Sequence, residues 1–204
     1  FYQNQFTGAR ADIRLAFSRD NERIKFCFPE TPLVALGASG AWDSGYLMAG
    51  DFVTDTERMF YYYGAHSNAP FTEQYGMLDN RVCAGRAGAW RDRFVALSPT
   101  GSARLVTVPF SLATASPVRL EVNAKLLSEG AVMRVGLAPA EAPDRVIAGL
   151  GPADCTPITG DSVAHPVRWG DRERLPEQQG PIRIVCEWQG NAADSLYALT
   201  ARKA

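Results

Sequence analysis

The stretch VRLEVN, from Val118 to Asn123, alternates strictly between apolar and polar side chains. A period of two is that of a β-strand with one buried face and one face in water. The same period recurs in two other segments, whose apolar members are Ala131, Met133, Val135 and Leu137, and then Ile182, Ile184, Cys186 and Trp188. Paired strands with one wet face are the components of a two-sheet antiparallel β-sandwich. The sequence therefore predicts a sandwich in its second half, with Trp188 in the core.

Upstream of this region the strands are shorter and turns interrupt them more often. Tyr46 to Val53 and Arg58 to Tyr63 are predicted to form a hairpin, because the polar run Thr-Asp-Thr-Glu lies between them. In the second strand Tyr61 and Tyr63 share one face and Tyr62 lies on the other. Aromatic residues at odd and even positions alike favour a strand that is covered on both faces.

The turn Ser98-Pro99-Thr100-Gly101 separates these two regions. We therefore predict one domain over residues 1–97 and a second over residues 98–204. Helical periodicity is nearly absent from both, so the predicted fold class is all-β. The chain opens at Phe1 in what reads as the middle of a domain, which indicates a piece of a longer protein.

Composition excludes several classes of protein. The formal net charge of −1, with Arg residues scattered singly, argues against a nucleic-acid partner, which requires a surplus of basic residues. The sequence has no apolar run of the roughly 18 residues that a transmembrane helix needs, so no membrane partner is predicted. Ordinary apolar content of 46% allows a normal hydrophobic core.

The cysteines and histidines indicate neither a metal site nor a cofactor. The four cysteines form no CxxC pair, and the two histidines lie far apart in the sequence, so a zinc site is not expected. Two interpretations of the cysteines remain open. They are either free buried thiols, or Cys155 and Cys186 form a disulfide within the second domain.

The usual catalytic motifs are absent, since the chain has no Walker loop, no GxGxxG after a strand and no HExxH. The most informative stretch is Trp42-Asp43-Ser44-Gly45. A Trp beside an Asp in a Gly-rich loop suits a sugar, because the ring stacks on the apolar sugar face and the carboxylate accepts hydrogen bonds from hydroxyls. The alternative is a Trp that packs the loop, with Asp43 capping a turn.

Three further residues are candidates for contact with a substrate. His66 and Tyr63 lie at the end of the predicted Tyr-rich strand, where loops carry function, although a structural histidine is an equally open interpretation. Arg86 has the planar fork that clamps a carboxylate or hydroxyl, and alternatively ties the two domains together. With Trp42 and Asp43, these are the predicted substrate-binding residues.

Several segments resemble glycoside hydrolase family 32-like proteins. Ser18-Arg19-Asp20-Asn21 resembles a blade motif of five-bladed propellers, and Asp43 to Tyr46 resembles the Asp-x-Gly element of a late blade. Phe60 to Gly64, followed by His66, resembles the final blade strand. Arg91 to Leu97 resembles the junction that follows the propeller. Five later segments resemble the C-terminal sandwich of the family: Thr107 to Phe110, Leu120 to Asn123, Asp154 to Asp161, Val167 to Trp169 and Leu196 to Leu199.

The resemblance implies partial β-propeller blades followed by an antiparallel β-sandwich. Asn21 and Arg93 stand where the family has Gly in two turns, so the geometry of those turns is in question. A five-bladed propeller needs about twenty strands, at about four per blade, and only about a blade and a half precedes the sandwich. The family's catalytic carboxylates come from earlier blades. The resemblance therefore implies that no catalytic residue can be assigned in this chain, and that Asp43 and His66 are pocket or propeller-core residues.

Three functional hypotheses follow. In the first, the chain is the C-terminal part of a secreted, hence extracellular or periplasmic, glycosidase-like protein that acts on a polysaccharide or oligosaccharide, and this part is structural and contacts substrate. In the second, it is a non-catalytic carbohydrate-binding module, and in the third a structural or assembly domain. Because incomplete blades leave strand edges and apolar faces open, we also expect either a second chain carrying the missing blades or a homodimer.

Overall fold

The computed structural model describes residues 2–6, 10–48, 50–67, 82–112, 117–175 and 180–203. Within these ranges almost all regular structure is β-strand, and the only helical element is one 3-10 turn, Pro152–Asp154. This confirms the predicted all-β fold class. None of the described segments is a helix with the length and apolar character needed to cross a membrane.

The chain divides into two compact units, Phe1–Arg91 (unit 1) and Asp92–Ala204 (unit 2). The division falls shortly before Leu97, where the sequence predicted the end of the first domain. The described strands of unit 1 are β1 (Tyr2–Phe6), β2 (Arg10–Arg14), β3 (Ala16–Phe17), β4 (Lys25–Phe26), β5 (Tyr46–Met48), β6 (Phe52–Thr54), β7 (Arg58–His66) and β8 (Val82–Trp90).

The main sheet of unit 1 is organised around its longest strands. Its order is β1-β2-β5-β7-β6, with β8 paired to β7 and the pair β3–β4 forming a separate small hairpin. β5 and β6 share one edge of β7, whereas β8 pairs with β7 along its whole length. All these pairings are antiparallel except that of β2 with β5. The predicted hairpin is confirmed at its turn, where β6 and β7 pair, but the predicted strand from Tyr46 to Val53 is two short strands, β5 and β6.

One face of this sheet carries the core of unit 1. Its buried members are Ile13, Leu47, Tyr61, Tyr63 and Ala65, and the partly buried Val34, Leu36 and Ala87 pack against them. The alternation of β7 places the tyrosines of this cluster on the core side, as the sequence predicted. The expectation that the other face of β7 is also covered was wrong, because Tyr62 is 46% exposed. No described segment packs over its ring closely enough to bury it.

The turn after β3 contains a non-glycine residue with a positive φ. Asn21 has a φ of 62°, the left-handed conformation that glycine adopts most readily. Asn tolerates this region better than other non-glycine residues. The neighbouring Asp20 stabilises the turn, because its Oδ1 accepts hydrogen bonds from the backbone N–H groups of Glu22 and Arg23. The turn therefore accommodates Asn21, and its likeness to the turn of the resembled family stays a prediction.

Unit 2 contains two antiparallel sheets. Its described strands are β9 (Ser102–Val106), β10 (Val118–Leu126), β11 (Val132–Pro139), β12 (Gly160–Pro166), β13 (Arg174–Leu175), β14 (Ile182–Gln189) and β15 (Ser195–Lys203). In the first sheet β10 is central, with β15 on one edge and β12 and β13 on the other. In the second sheet the order is β11-β14-β9.

Side chains from both sheets of unit 2 enter one hydrophobic cluster. β10 contributes Val118, Leu120 and Val122, and β14 contributes Ile184 and Trp188. The alternations read from the sequence thus place the apolar members inside, and the prediction of Trp188 as a core residue is confirmed by its exposure of 7%. Unit 2 is built of two sheets around one core. Its assignment to the sandwich of the resembled family stays a prediction, as does the assignment of unit 1 to propeller blades.

Candidate functional site

The loop before β5 is held against the sheet by backbone and side-chain hydrogen bonds. The hydroxyl of Ser44 donates to the carbonyl of Ala41 at 2.8 Å. The N–H of Gly45 donates to the carbonyl of His66 at 3.0 Å, and the Arg10 guanidinium donates to the carbonyl of Ser44 at 2.6 Å. Because these bonds fix the end of the loop to β7 and β2, the preceding residues Trp42 and Asp43 are presented in one orientation.

The Trp42 ring lies at the end of a stack of aromatic rings. Its centroid is 6.1 Å from that of Tyr63 with an interplanar angle of 16°, and Tyr63 in turn stacks on Tyr61 at 6.4 Å and 19°. Both tyrosines are buried, whereas Trp42 is 40% exposed. The hydroxyl of Tyr61 accepts a hydrogen bond from the N–H of Gly50 at 2.9 Å, which anchors the inner end of the stack.

Gly85 on β8 makes room for this stack. A Cβ at that position would lie 2.4 Å from Cζ of Tyr63 and 2.7 Å from Cη2 of Trp42, closer than real Cβ contacts. Any larger residue would push the two rings apart. We name the set Trp42, Asp43, Tyr61, Tyr63 and Gly85 the Trp42 cluster.

Asp43 supplies the charge of the Trp42 cluster. Its carboxylate lies against the backbone of Gly37, where an added Cβ would meet Oδ1 at 1.9 Å. Burial raises the pKa of the Tyr63 phenol, and the negative charge of Asp43 raises it further. The carboxylate is therefore near the aromatic stack, and Tyr63 stays a neutral phenol at ordinary pH.

The predicted substrate-binding residues divide between the two faces of the sheet. Trp42, Asp43 and Tyr63 come together on the core side, where buried Tyr63 supports the Trp42 ring and is not itself open to a ligand. Arg86 lies on the opposite side, because it pairs with Tyr62 while its neighbour Gly85 pairs with Tyr63. The alternation of β7 puts His66 on the side of Tyr62, and its Nδ1 is buried without a hydrogen-bond partner among the described residues.

The open side of the sheet carries a feature that the sequence reasoning missed. The guanidinium of Arg58 lies 3.6 Å from the centroid of the Trp90 ring, and that of Arg86 lies 4.9 Å from the centroid of the Phe60 ring. With Tyr62 these residues form a patch that we name the arginine–aromatic face. The alternation of Arg86, Gly88 and Trp90 along β8 could have indicated that these residues share one face. The sequence reasoning missed it because it expected both faces of β7 to be covered.

Three other aspartates of unit 1 have structural roles. Asp12 and Arg14 are both buried and form a two-bond ion pair, with both N···O distances at 2.9 Å. Hydrogen bonds from backbone N–H groups lower the pKa values of Asp20 and Asp55, which each close a turn. In the described part of the chain no group of three or more His, Cys, Asp or Glu side chains is arranged to hold a metal ion.

Unit 2 offers an open groove of about 460 Å³ at the β11-β14-β9 sheet. Its charged lining residues are engaged within the protein, since Arg104 lies 3.7 Å from Glu187 and Arg134 donates to the carbonyl of Cys155 at 2.6 Å. Trp169 is 4% exposed and donates its indole N–H to the carbonyl of Val135. Neither Trp169 nor Trp188 therefore presents a ring for stacking, which leaves unit 1 as the place of the candidate site.

Comparison of the chain with known protein families, with curated proteins and with solved structures finds no match. The family resemblance read from the sequence motifs therefore stays a prediction.

Proposed function

We propose that this chain is a non-catalytic, carbohydrate-contacting part of a larger secreted glycosidase-like protein, and that it contacts a neutral sugar chain through the Trp42 cluster. The observation that carries the proposal is a half-exposed Trp42 ring held parallel to a buried Tyr63 ring beside the Asp43 carboxylate. The rest of the parent, outside this chain, supplies any hydrolysis.

The physical argument rests on pre-organisation. A sugar ring offers an apolar face that packs on an indole, and hydroxyls that donate to a carboxylate. Binding is weakened when side chains must be ordered first, at about 0.5–1.5 kcal/mol for each. The stack beneath Trp42 and the contact of Asp43 with Gly37 order both groups before a ligand arrives. Removing the ring should therefore cost most of the affinity.

A structural or assembly role is the second candidate, and the surface of unit 1 favours it. The β3–β4 hairpin and the residues after it expose Phe17, Ile24, Phe26 and Phe28, with Phe28 63% exposed. Such a concentration of exposed apolar side chains is unusual on a free surface. An assembly role predicts a partner on this hairpin, and it does not require Trp42.

The test is affinity electrophoresis of the chain in gels containing arabinan, levan or inulin, followed by titration calorimetry with the matching oligosaccharide. Trp42→Ala should weaken binding by about 2 kcal/mol, which is roughly thirty-fold in Kd. Trp90→Ala is the matched control, because Trp90 is equally exposed but lies on the opposite side of the sheet. Equal losses in both variants, or no retardation of the wild type by any neutral glycan, would refute the proposal.

Catalysis is tested separately. The isolated chain should release no product from aryl glycosides or from the polysaccharide that it binds, since hydrolysis is proposed to reside outside this chain. Turnover that survives purification and disappears on substitution of an Asp or Glu of this chain would show a catalytic function instead.

A further inference from the structure

The arginine–aromatic face lies on the side of β6, β7 and β8 that points away from the core of unit 1. Rows of paired residues cross it, with Arg58 opposite Trp90, Phe60 opposite Gly88, and Tyr62 opposite Arg86. Trp90 and Tyr62 are 40% and 46% exposed. Gly88 adds no side chain beside Phe60, so the middle row is shallow.

The two arginines are held in an orientation that suits anion binding. Each guanidinium lies over an aromatic ring, which orders the long side chain and covers one face of the cation. The N–H groups of a guanidinium point outwards in its plane, so stacking leaves its edges available to a carboxylate. This arrangement favours two-bond recognition of planar anions over a general attraction to negative charge.

Neither arginine of the face forms an ion pair with a carboxylate of the described residues. Among the described strand residues that share it, which are Val53, Arg58, Phe60, Tyr62, Gly64, His66, Ala84, Arg86, Gly88 and Trp90, none is acidic. A carboxylate stands beside Arg58 in the turn before it, where Asp55 accepts a hydrogen bond from the Arg58 N–H. In the row of Arg86, the N–H of Tyr62 donates to the carbonyl of Asp51, so an aspartate stands at the end of this row too, but no described carboxylate forms an ion pair with Arg86.

We propose that the arginine–aromatic face binds an anionic polysaccharide, a chain of uronic acid units, in addition to the neutral sugar proposed for the Trp42 cluster. Two uronate carboxylates contact Arg58 and Arg86. Their rows are four residues apart, about 13–14 Å along the strands, but the Arg86 guanidinium lies over Phe60 in the row between them, so the two charged groups are closer than the rows. The exposed ring of Tyr62, in the row of Arg86, and the part of the Trp90 ring that the Arg58 guanidinium leaves uncovered pack on apolar sugar faces beside the two arginines. These rings favour a sugar chain over an acidic peptide, which would need only the charges.

The test uses polygalacturonate as the probe, with binding of the whole chain measured by affinity electrophoresis and by calorimetry with an oligogalacturonate. Arg86→Gln and Arg58→Gln should each raise Kd about tenfold or more, because each removes one of the two guanidinium groups that hold a carboxylate. Arg58→Lys should lose affinity although it keeps the charge, since Lys lacks the planar fork. Arg23→Gln is the control, an exposed arginine of the same unit that lies off this face.

Each result decides the proposal. Selective loss in the Arg86 and Arg58 variants, with Arg23→Gln and Trp42→Ala unchanged, supports it and separates it from the neutral-sugar site. A loss of the same size in Arg23→Gln would show unspecific attraction of charge and would overturn the proposal. Equal binding of polyglutamate would indicate an acidic peptide as the ligand and would also overturn the proposal. Dimerisation that buries this face, seen by light scattering and abolished by Tyr62→Glu, would also overturn it. Circular dichroism confirms that each variant is folded.

Discussion

Asp194 provides the sharpest test of how unit 2 is held together. Its carboxylate is fully buried and accepts four hydrogen bonds. Oδ1 accepts from the N–H groups of Leu127 and Ser128 at 2.8 and 3.0 Å, and Oδ2 accepts from the Asn191 N–H at 2.9 Å and from the Ser128 hydroxyl. The residue thereby ties the turn between β14 and β15 to the end of β10. We predict that Asp194→Asn destabilises unit 2 strongly.

The magnitude follows from these contacts. The amide keeps one acceptor oxygen, but its NH₂ group faces two donors that the carboxylate satisfied. A hydrogen bond to a charged group contributes about 1.5–3 kcal/mol, and a buried donor left unsatisfied costs about 1–3 kcal/mol. Two affected donors therefore place the loss at about 2–6 kcal/mol. Such a loss is a large share of the 5–15 kcal/mol typical of a domain.

The assay must report on unit 2 alone. In a background carrying Trp42→Phe and Trp90→Phe, the remaining tryptophans of the four in the chain are Trp169 and Trp188, both in the core of unit 2. Their emission during urea unfolding measures the stability of this unit. The control is Asp144→Asn, whose exposed ion pair with Arg104 should contribute at most about 1 kcal/mol.

Acid unfolding gives an independent readout. Burial raises the pKa of Asp194, but the hydrogen bonds from Ser128, Asn191 and Leu127 outweigh it and hold the pKa at about 2, below the ordinary 3.8. A lowered folded-state pKa stabilises the fold fully above about pH 4, and this contribution is lost as the pH falls towards 2. The Asn variant should show less loss over that window. A variant that matches the control in urea, with an unchanged acid profile, would refute this account of Asp194.

Two further predictions concern packing and thiol chemistry. Gly85→Ala should abolish binding of neutral glycans, because the added Cβ would collide with the stacked rings of Tyr63 and Trp42. Gly88→Ala is the control and should keep binding, since its Cβ would meet its nearest neighbour at an ordinary 3.5 Å. Titration calorimetry compares the two variants, and equal affinities would contradict the role proposed for the Trp42 cluster. Burial raises the pKa of the Cys155 thiol and raises that of the Cys186 thiol to about 12. Alkylation of the native chain should therefore leave both cysteines unlabelled. Alkylation after unfolding without reductant should label both. Mass spectrometry measures the labels, and two sites that stay unlabelled after unfolding would indicate the disulfide instead of free thiols.

Several elements were predictable from local pattern. The strands in the second half follow the alternation of residues such as Ile184 and Trp188, and the hairpin of β6 and β7 follows its polar turn. The grouping of Trp42 with Asp43 needed only that they are neighbours in a Gly-rich loop. Their partner Tyr63 was also named from the sequence, but its burial beneath the Trp42 ring depends on the stack that β8 permits at Gly85.

The position of Arg86 could not be predicted from sequence, because it depends on the register of β8 against β7. A slip of one residue would move Arg86 to the core side and Gly85 to the open side. The pairing of Tyr63 with Gly85 decides the matter, since only glycine leaves space for both rings. That register separates the Trp42 cluster from the arginine–aromatic face.

The amino-acid sequence by itself determined that this protein is all-β, which side chains share a strand face, and where the main turns lie, since these properties depend on neighbours along the chain. Only the tertiary structure decided which of those faces is buried. The same alternation describes Tyr61 and Tyr62 equally well, yet one packs in the core and the other is half-exposed. A strand's period reports which residues point the same way, whereas burial depends on what other segments bring against them.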